Sequence, residues 1–192
     1  MNSNQQEFFE SLVSLQKKLS REGIEYWHLY SDFGTWQFWA VLLMLICPVI
    51  VLYFVIDRKK VFIIGFFGFA VHILFAYTDA CGIRLGLWGY PYQLIPFIPS
   101  LSLDAAIIPI AIMIVFQWTL NHHKNFYLYS FLTALLFGFG FKPLLVSIGL
   151  FEKYQWVNYF YIFLIYLVLY WLGHLLTTIF FRLQDSQKEK EV

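Results

Sequence analysis

Five long apolar runs separated by short polar turns constrain this chain more than any other feature of it. They extend from about Trp36 to Ile56, Val61 to Thr78, Leu101 to Leu120, Phe126 to Leu150 and Val157 to Phe181. Each comes close to the ~20 apolar residues that carry a helix through the hydrocarbon core of a bilayer. A water-soluble domain has no place for five such runs. Hydrophobic residues make up 60% of the sequence and charged residues 13%, which is too little polar surface to cover an exposed globule. The expected fold class is all-α: a polytopic membrane helical bundle of about five transmembrane helices, preceded by one amphipathic helix.

That first helix occupies residues 1–25. It lacks the compact apolar core of a secretory signal, and Phe8, Leu12, Leu15 and Leu19 recur at helical spacing as a single stripe. It reads as an interfacial helix or a cap on the bundle, with Gly23 as its stop. Residues 26–182 form the transmembrane domain, and 183–192 a polar tail that is disordered beyond the last helix. The densest short basic loop, Arg58-Lys59-Lys60, falls on the same side as Lys124 and the tail. The positive-inside rule then places the N-terminus outside and the C-terminus in the cytoplasm. Trp27, Trp36, Trp39, Trp88 and Trp156 are expected at the outer interface.

Chemistry concentrates between Asp79 and Pro109, where aspartates, prolines, glycines and large aromatics lie between two spans. Ionisable groups in lipid are costly and face the bundle interior. Asp79 closes the second span, Asp104 opens the third, and Arg84 lies in the connecting segment. Lys142 lies ~24 Å along the fourth span at 1.5 Å per residue, level with them. His72 shares a helix face with Asp79, two turns away. Two readings fit this convergence. The four charges balance as a structural ion-pair set, with Lys142 neutralising an aspartate; or they line a ligand or proton site. Trp88, Tyr90 and Tyr92 are read either as rings of a lid over such a pocket or as parts of a stiff connector; on the lid reading leucine at 90 or 92 is expected to spare stability, on the other to lower it. The candidate ligand-binding residues are thus Asp79, Arg84, Trp88, Tyr90, Tyr92, Asp104, Lys142 and His72.

No GxSxG, HExxH, Walker or GxGxxG motif is present, and Ser100, Ser102 and Ser147 have no base fixed beside them. No HxxxH or CxxC spacing argues for a metal, no cofactor is implied, and no basic stripe argues for nucleic acid. The expected partners are the lipid bilayer and a small molecule, a lipid or another membrane protein, with the oligomeric state left open. The leading expectation is a non-enzymatic membrane protein with an outer-side polar vestibule. The alternative is a membrane-embedded enzyme acting on a lipid or isoprenoid, with Asp79 or Asp104 as acid or base.

Asp79, Gly86-Leu87-Trp88, Tyr90-Pro91-Tyr92, Leu94-Ile95-Pro96, Pro99, Asp104, Pro109, Gln117 and Trp118 together resemble the pattern of an uncharacterised multi-pass membrane family common in endospore-forming Firmicutes. The resemblance runs from the N-terminal helix through the Asp57-Arg58-Lys59 turn to the fifth span. It implies a polytopic membrane fold and brings no activity with it. Members of that family usually carry Glu-Pro where this chain has Lys142-Pro143, which reverses the local charge. The layout is also loosely similar to small membrane carotenoid cyclases, whose motifs this chain lacks.

Overall fold

Each apolar run forms a helix, and a polar side chain starts most of them. In the computed structural model, which describes residues 2–154 and 156–188, α1 covers Ser3–Tyr30 and opens with the Asn2 carboxamide accepting from Gln5 N at 2.8 Å. The spans are α2 (Trp36–Val55), α3 (Val61–Arg84), α4 (Leu103–Asn121), α5 (Phe126–Ser147) and α6 (Tyr159–Lys188). Thr35, Asn125 and Asn158 cap α2, α5 and α6 by accepting from backbone N–H groups of the first turn. All five are long and apolar enough to cross a membrane. The all-α class holds, with one exception of two residues per strand: β1 (Trp88–Gly89) pairs antiparallel with β2 (Glu152–Lys153).

Three boundaries differ from expectation. Helix α1 runs through Gly23 to Tyr30, because a lone glycine costs only ~1 kcal/mol within a helix. Helix α3 continues past Thr78 to Arg84, so Arg84 belongs to the helix that Asp79 was expected to close, rather than to the connecting segment. Helix α6 extends to Lys188, so residues 183–188 of the expected tail are helical; 189–192 lie outside the described residues.

At the bundle centre α3 packs against α4 and α6. Phe67 meets Phe116 at 4.4 Å and Phe126 at 5.5 Å, while Phe75 meets Tyr166 at 5.0 Å. Where α5 crosses α6, a Cβ on Gly138 would lie 2.9 Å from the Phe163 Cα, so glycine is what permits that approach. By contrast Phe54, Phe62 and Tyr77 are 77%, 91% and 71% exposed, which suits a lipid-facing exterior. No residue of α1 is buried, so its apolar stripe does not cap the bundle. It stays available for a bilayer surface.

The turns alternate between two faces. At one face, Lys60 Nζ donates to Asn121 Oδ1 at 2.6 Å, and Gln117 latches the α2–α3 turn by accepting from Asp57 N and donating to Val55 O. The 85–102 connector lies at the opposite face, held to the 148–158 loop by the β1–β2 pair.

Two spans depart from α geometry, both beside a buried charge. Residues Leu103–Ile107 and Phe137–Phe141 form single π-helical turns. In each, the N–H at the end of the turn bonds five residues back: Ile108 to Leu103, and Lys142 to Phe137. The next residue is proline in both cases, Pro109 and Pro143, and proline has no N–H to continue that register. The carbonyls of Asp104 and Gly138 are thereby left without a helical donor. Pro48 sits inside α2, which has no buried charge, and α2 stays α-helical.

Candidate functional site

At the connector face, α3, α4, α5 and the connector bring Asp79, Asp104, Lys142, Trp88 and Tyr90 into one buried cluster, with exposures of 8%, 3%, 4%, 7% and 5%. The Asp79 carboxylate accepts from Trp88 Nε1 at 2.9 Å and from Tyr90 Oη at 2.6 Å. Gly82 sits one turn further along α3, and a Cβ there would run into the Trp88 indole. Lys142 Nζ donates to the same Tyr90 hydroxyl at 3.2 Å and lies 3.6 Å from the Phe151 ring centroid. The cation is held by a phenol and by ring faces. Burial first, and the Asp79 charge second, hold the Tyr90 hydroxyl well above the usual phenol range, so it donates and does not ionise.

The ion-pair expectation is corrected here. Among the described residues the only ion pair is Lys18–Glu22, at 3.8 Å. Lys142 reaches Asp79 through Tyr90, not directly. Arg84 lies on the exposed side of α3 and makes no hydrogen bond or ion pair with a described residue, so two carboxyls face one buried cation instead of two. Trp88 is likewise buried in the cluster. Tyr90 joins two buried charges through its hydroxyl, so Tyr90→Leu is now expected to lower stability instead of sparing it.

Around Asp104 the bonds are fewer. Ser100 Oγ donates to Asp104 Oδ2 at 2.6 Å, while Asp104 Oδ1 has no partner among the described residues. His72 Nδ1 meets the Asp104 carbonyl at 2.7 Å, so this ring nitrogen carries the proton. That carbonyl is the one Pro109 leaves without a donor. His72 thus supplies the missing N–H, a task its spacing from Asp79 did not announce.

The cavities divide the cluster in two. Asp79, Trp88, Tyr90 and Lys142 border a cavity of about 20 Å³, the size of one water molecule. On the other side of Asp104 a groove of about 610 Å³ lies between α1, α3 and the connector. Its walls include Leu19, Ala80, Ile83 and the Pro96-Phe97-Ile98-Pro99 run, with Arg84, His72, Ser100 and Asp104 as polar members. The connector is held in place from α1: Gln93 O accepts from Trp27 Nε1 at 2.8 Å, and Gln93 N donates to Ser31 Oγ at 2.7 Å. Tyr92 is half-buried against the core and lines neither cavity.

Of the eight candidates, five therefore belong to the packed cluster or its edge, Arg84 and His72 to the groove wall, and Tyr92 to neither. Sequence reading missed Phe151 and Gln93, and its expectation that Ser100 has no base beside it is corrected by the Asp104 carboxyl at 2.6 Å. The four-residue spacing of Ser100 to Asp104 was a usable signal; Phe151, brought in by a strand pair of two residues, had none. No protein-family model, curated protein or solved structure matches the chain.

Proposed function

We propose that this is a non-enzymatic integral membrane protein of the bacterial cytoplasmic membrane whose groove beneath α1 binds an amphiphile with an anionic headgroup. One observation carries the reading: an apolar groove of about 610 Å³ with the unpaired guanidinium of Arg84 in its wall. Its size is that of a small-molecule site, and its lining is mostly apolar with a few polar groups, as such sites are. A second groove on α1, sharing Gln16, Ser20 and Phe97 with the first, adds Lys17 and Arg21. Orientation with this face outside, from the basic loops on the opposite one, and membership of the Firmicutes family the sequence resembles, are parts of the same proposal.

The test is lipid retention. Full-length protein purified in mild detergent is mixed with phosphatidylglycerol or phosphatidylcholine, and bound lipid is counted by native mass spectrometry. Anionic lipid should be retained in preference, and Arg84→Gln should lose the preference. Equal retention of both lipids by wild-type protein would remove the proposal.

Asp104 favours a second reading, as acid or base of a lipid-processing enzyme, because it is a residue of the groove wall and one of its buried oxygens is unpartnered among the described residues. Asp79 does not share that access. Turnover of an added lipid, abolished by Asp104→Asn, would support this reading over the first.

A further inference from the structure

We propose that the buried cluster is a proton-binding site in which Asp79 and Asp104 together hold one exchangeable proton, carried on Asp104 and reached from the groove. The hydrogen bonds assign the roles. Asp79 is served as an anion is: two donors meet its oxygens, and one of them passes the contact on to the Lys142 ammonium. Asp104 is not. A single neutral hydroxyl serves Oδ2, and Oδ1 is buried without a donor. A buried ionised oxygen with no donor is unfavourable, and protonation removes the charge. Asp79 and Asp104 lie in the same buried cluster. Two ionised carboxylates in one buried set repel, and a single proton on Asp104 relieves that repulsion.

Charge counting over every element packed against Asp104 agrees. Helix α3 contributes Asp79, the His72 ring, which is engaged with a backbone carbonyl, and Arg84, which is solvent-exposed in the groove wall and so stands outside the buried set. The connector contributes Tyr90 and α5 contributes Lys142, while α6 contributes the buried phenols Tyr166 and Tyr170. Helix α2 packs on the π turn and carries no Asp, Glu, Lys, Arg or His. One ammonium and two carboxyls remain. The set is neutral when it holds one proton, and neutrality is what a buried set requires. The route runs on the groove side, because Asp104 and Ser100 line the groove while Asp79 borders only the cavity of about 20 Å³.

Infrared spectroscopy of the full-length protein in lipid nanodiscs counts such protons through the C=O stretch of a carboxylic acid, which downshifts in D2O. Wild-type protein at neutral pH should show one such band. Asp104→Asn and Asp79→Asn should each lose it, since either leaves one carboxyl balanced by Lys142. Lys142→Gln should double it, since two carboxyls without a cation need two protons. Where a variant does not fold, wild-type protein with 13C-labelled aspartate suffices, because the band must shift with the label. Absence of the band in wild type, its persistence in Asp104→Asn, or insensitivity to aspartate labelling would overturn the proposal.

Discussion

Replacing Tyr90 with phenylalanine removes one oxygen and keeps the ring, so the packing against Phe151 at 5.3 Å survives and no cavity opens. What is lost is a 2.6 Å hydrogen bond to Asp79 and the acceptor for Lys142 at 3.2 Å. A hydrogen bond to a charged group contributes about 1.5–3 kcal/mol, and a buried donor left unpaired adds to the loss, so Tyr90→Phe should cost about 2–4 kcal/mol. Unfolding in mixed micelles titrated with sodium dodecyl sulfate measures this. Lys142→Met alone should cost about 3–5 kcal/mol, as breaking a buried charge contact does. Because the hydroxyl is what links Lys142 to Asp79, the double variant should lose about 1–2 kcal/mol less than the sum. The phenol adds a pH signature. Its folded-state value is raised, so its contribution is fully present below the unfolded tyrosine value of ~10 and is lost as pH climbs through the folded value. Stability of the wild type should therefore fall above pH ~10, and less steeply in Tyr90→Phe. A Tyr90→Phe protein within ~0.5 kcal/mol of wild type, or strictly additive effects with Lys142→Met, would refute the bridge.

Gly82→Val places a side chain where the Trp88 indole lies and should cost about 1–3 kcal/mol, read as a lowered thermal midpoint in detergent; an unchanged midpoint would mean that the indole does not need that glycine. Reporter fusions after Lys60 and Lys124 should report cytoplasm, and one after Gly89 the exterior. An exterior signal from the Lys60 fusion would invert the orientation and turn the groove to the inner side.

How much was legible in the sequence depended on whether the signal was local. The spans were, because about twenty apolar residues in a row have few other fates. The depth of Lys142 was also legible, since rise per residue converts position to height, and that height does bring it to Tyr90. Partner choice was not. Counting charges paired Lys142 with an aspartate, whereas the contact passes through a tyrosine hydroxyl fifty-two residues away in sequence. Arg84 looked central because α3 was ended too early; one more turn and a half of helix carries its side chain to the exposed face. The two π turns leave a trace only in hindsight: a buried charge with proline five residues on at Asp104, and one adjacent at Lys142. His72 was singled out for its spacing from Asp79, and its partner proved to be the carbonyl that Pro109 strands.

The polar cluster braces the bundle, and the groove beside it is where we propose that the amphiphile binds. The most direct measurement compares bound lipid and thermal stability in two variants of the full-length protein. Ala80→Trp fills the groove from an exposed position on α3, and Tyr90→Phe weakens the brace. Ala80→Trp should lose co-purified anionic lipid at near wild-type stability, while Tyr90→Phe should keep its lipid and melt lower. Wild-type lipid content in Ala80→Trp, or lipid loss confined to Tyr90→Phe, would contradict it.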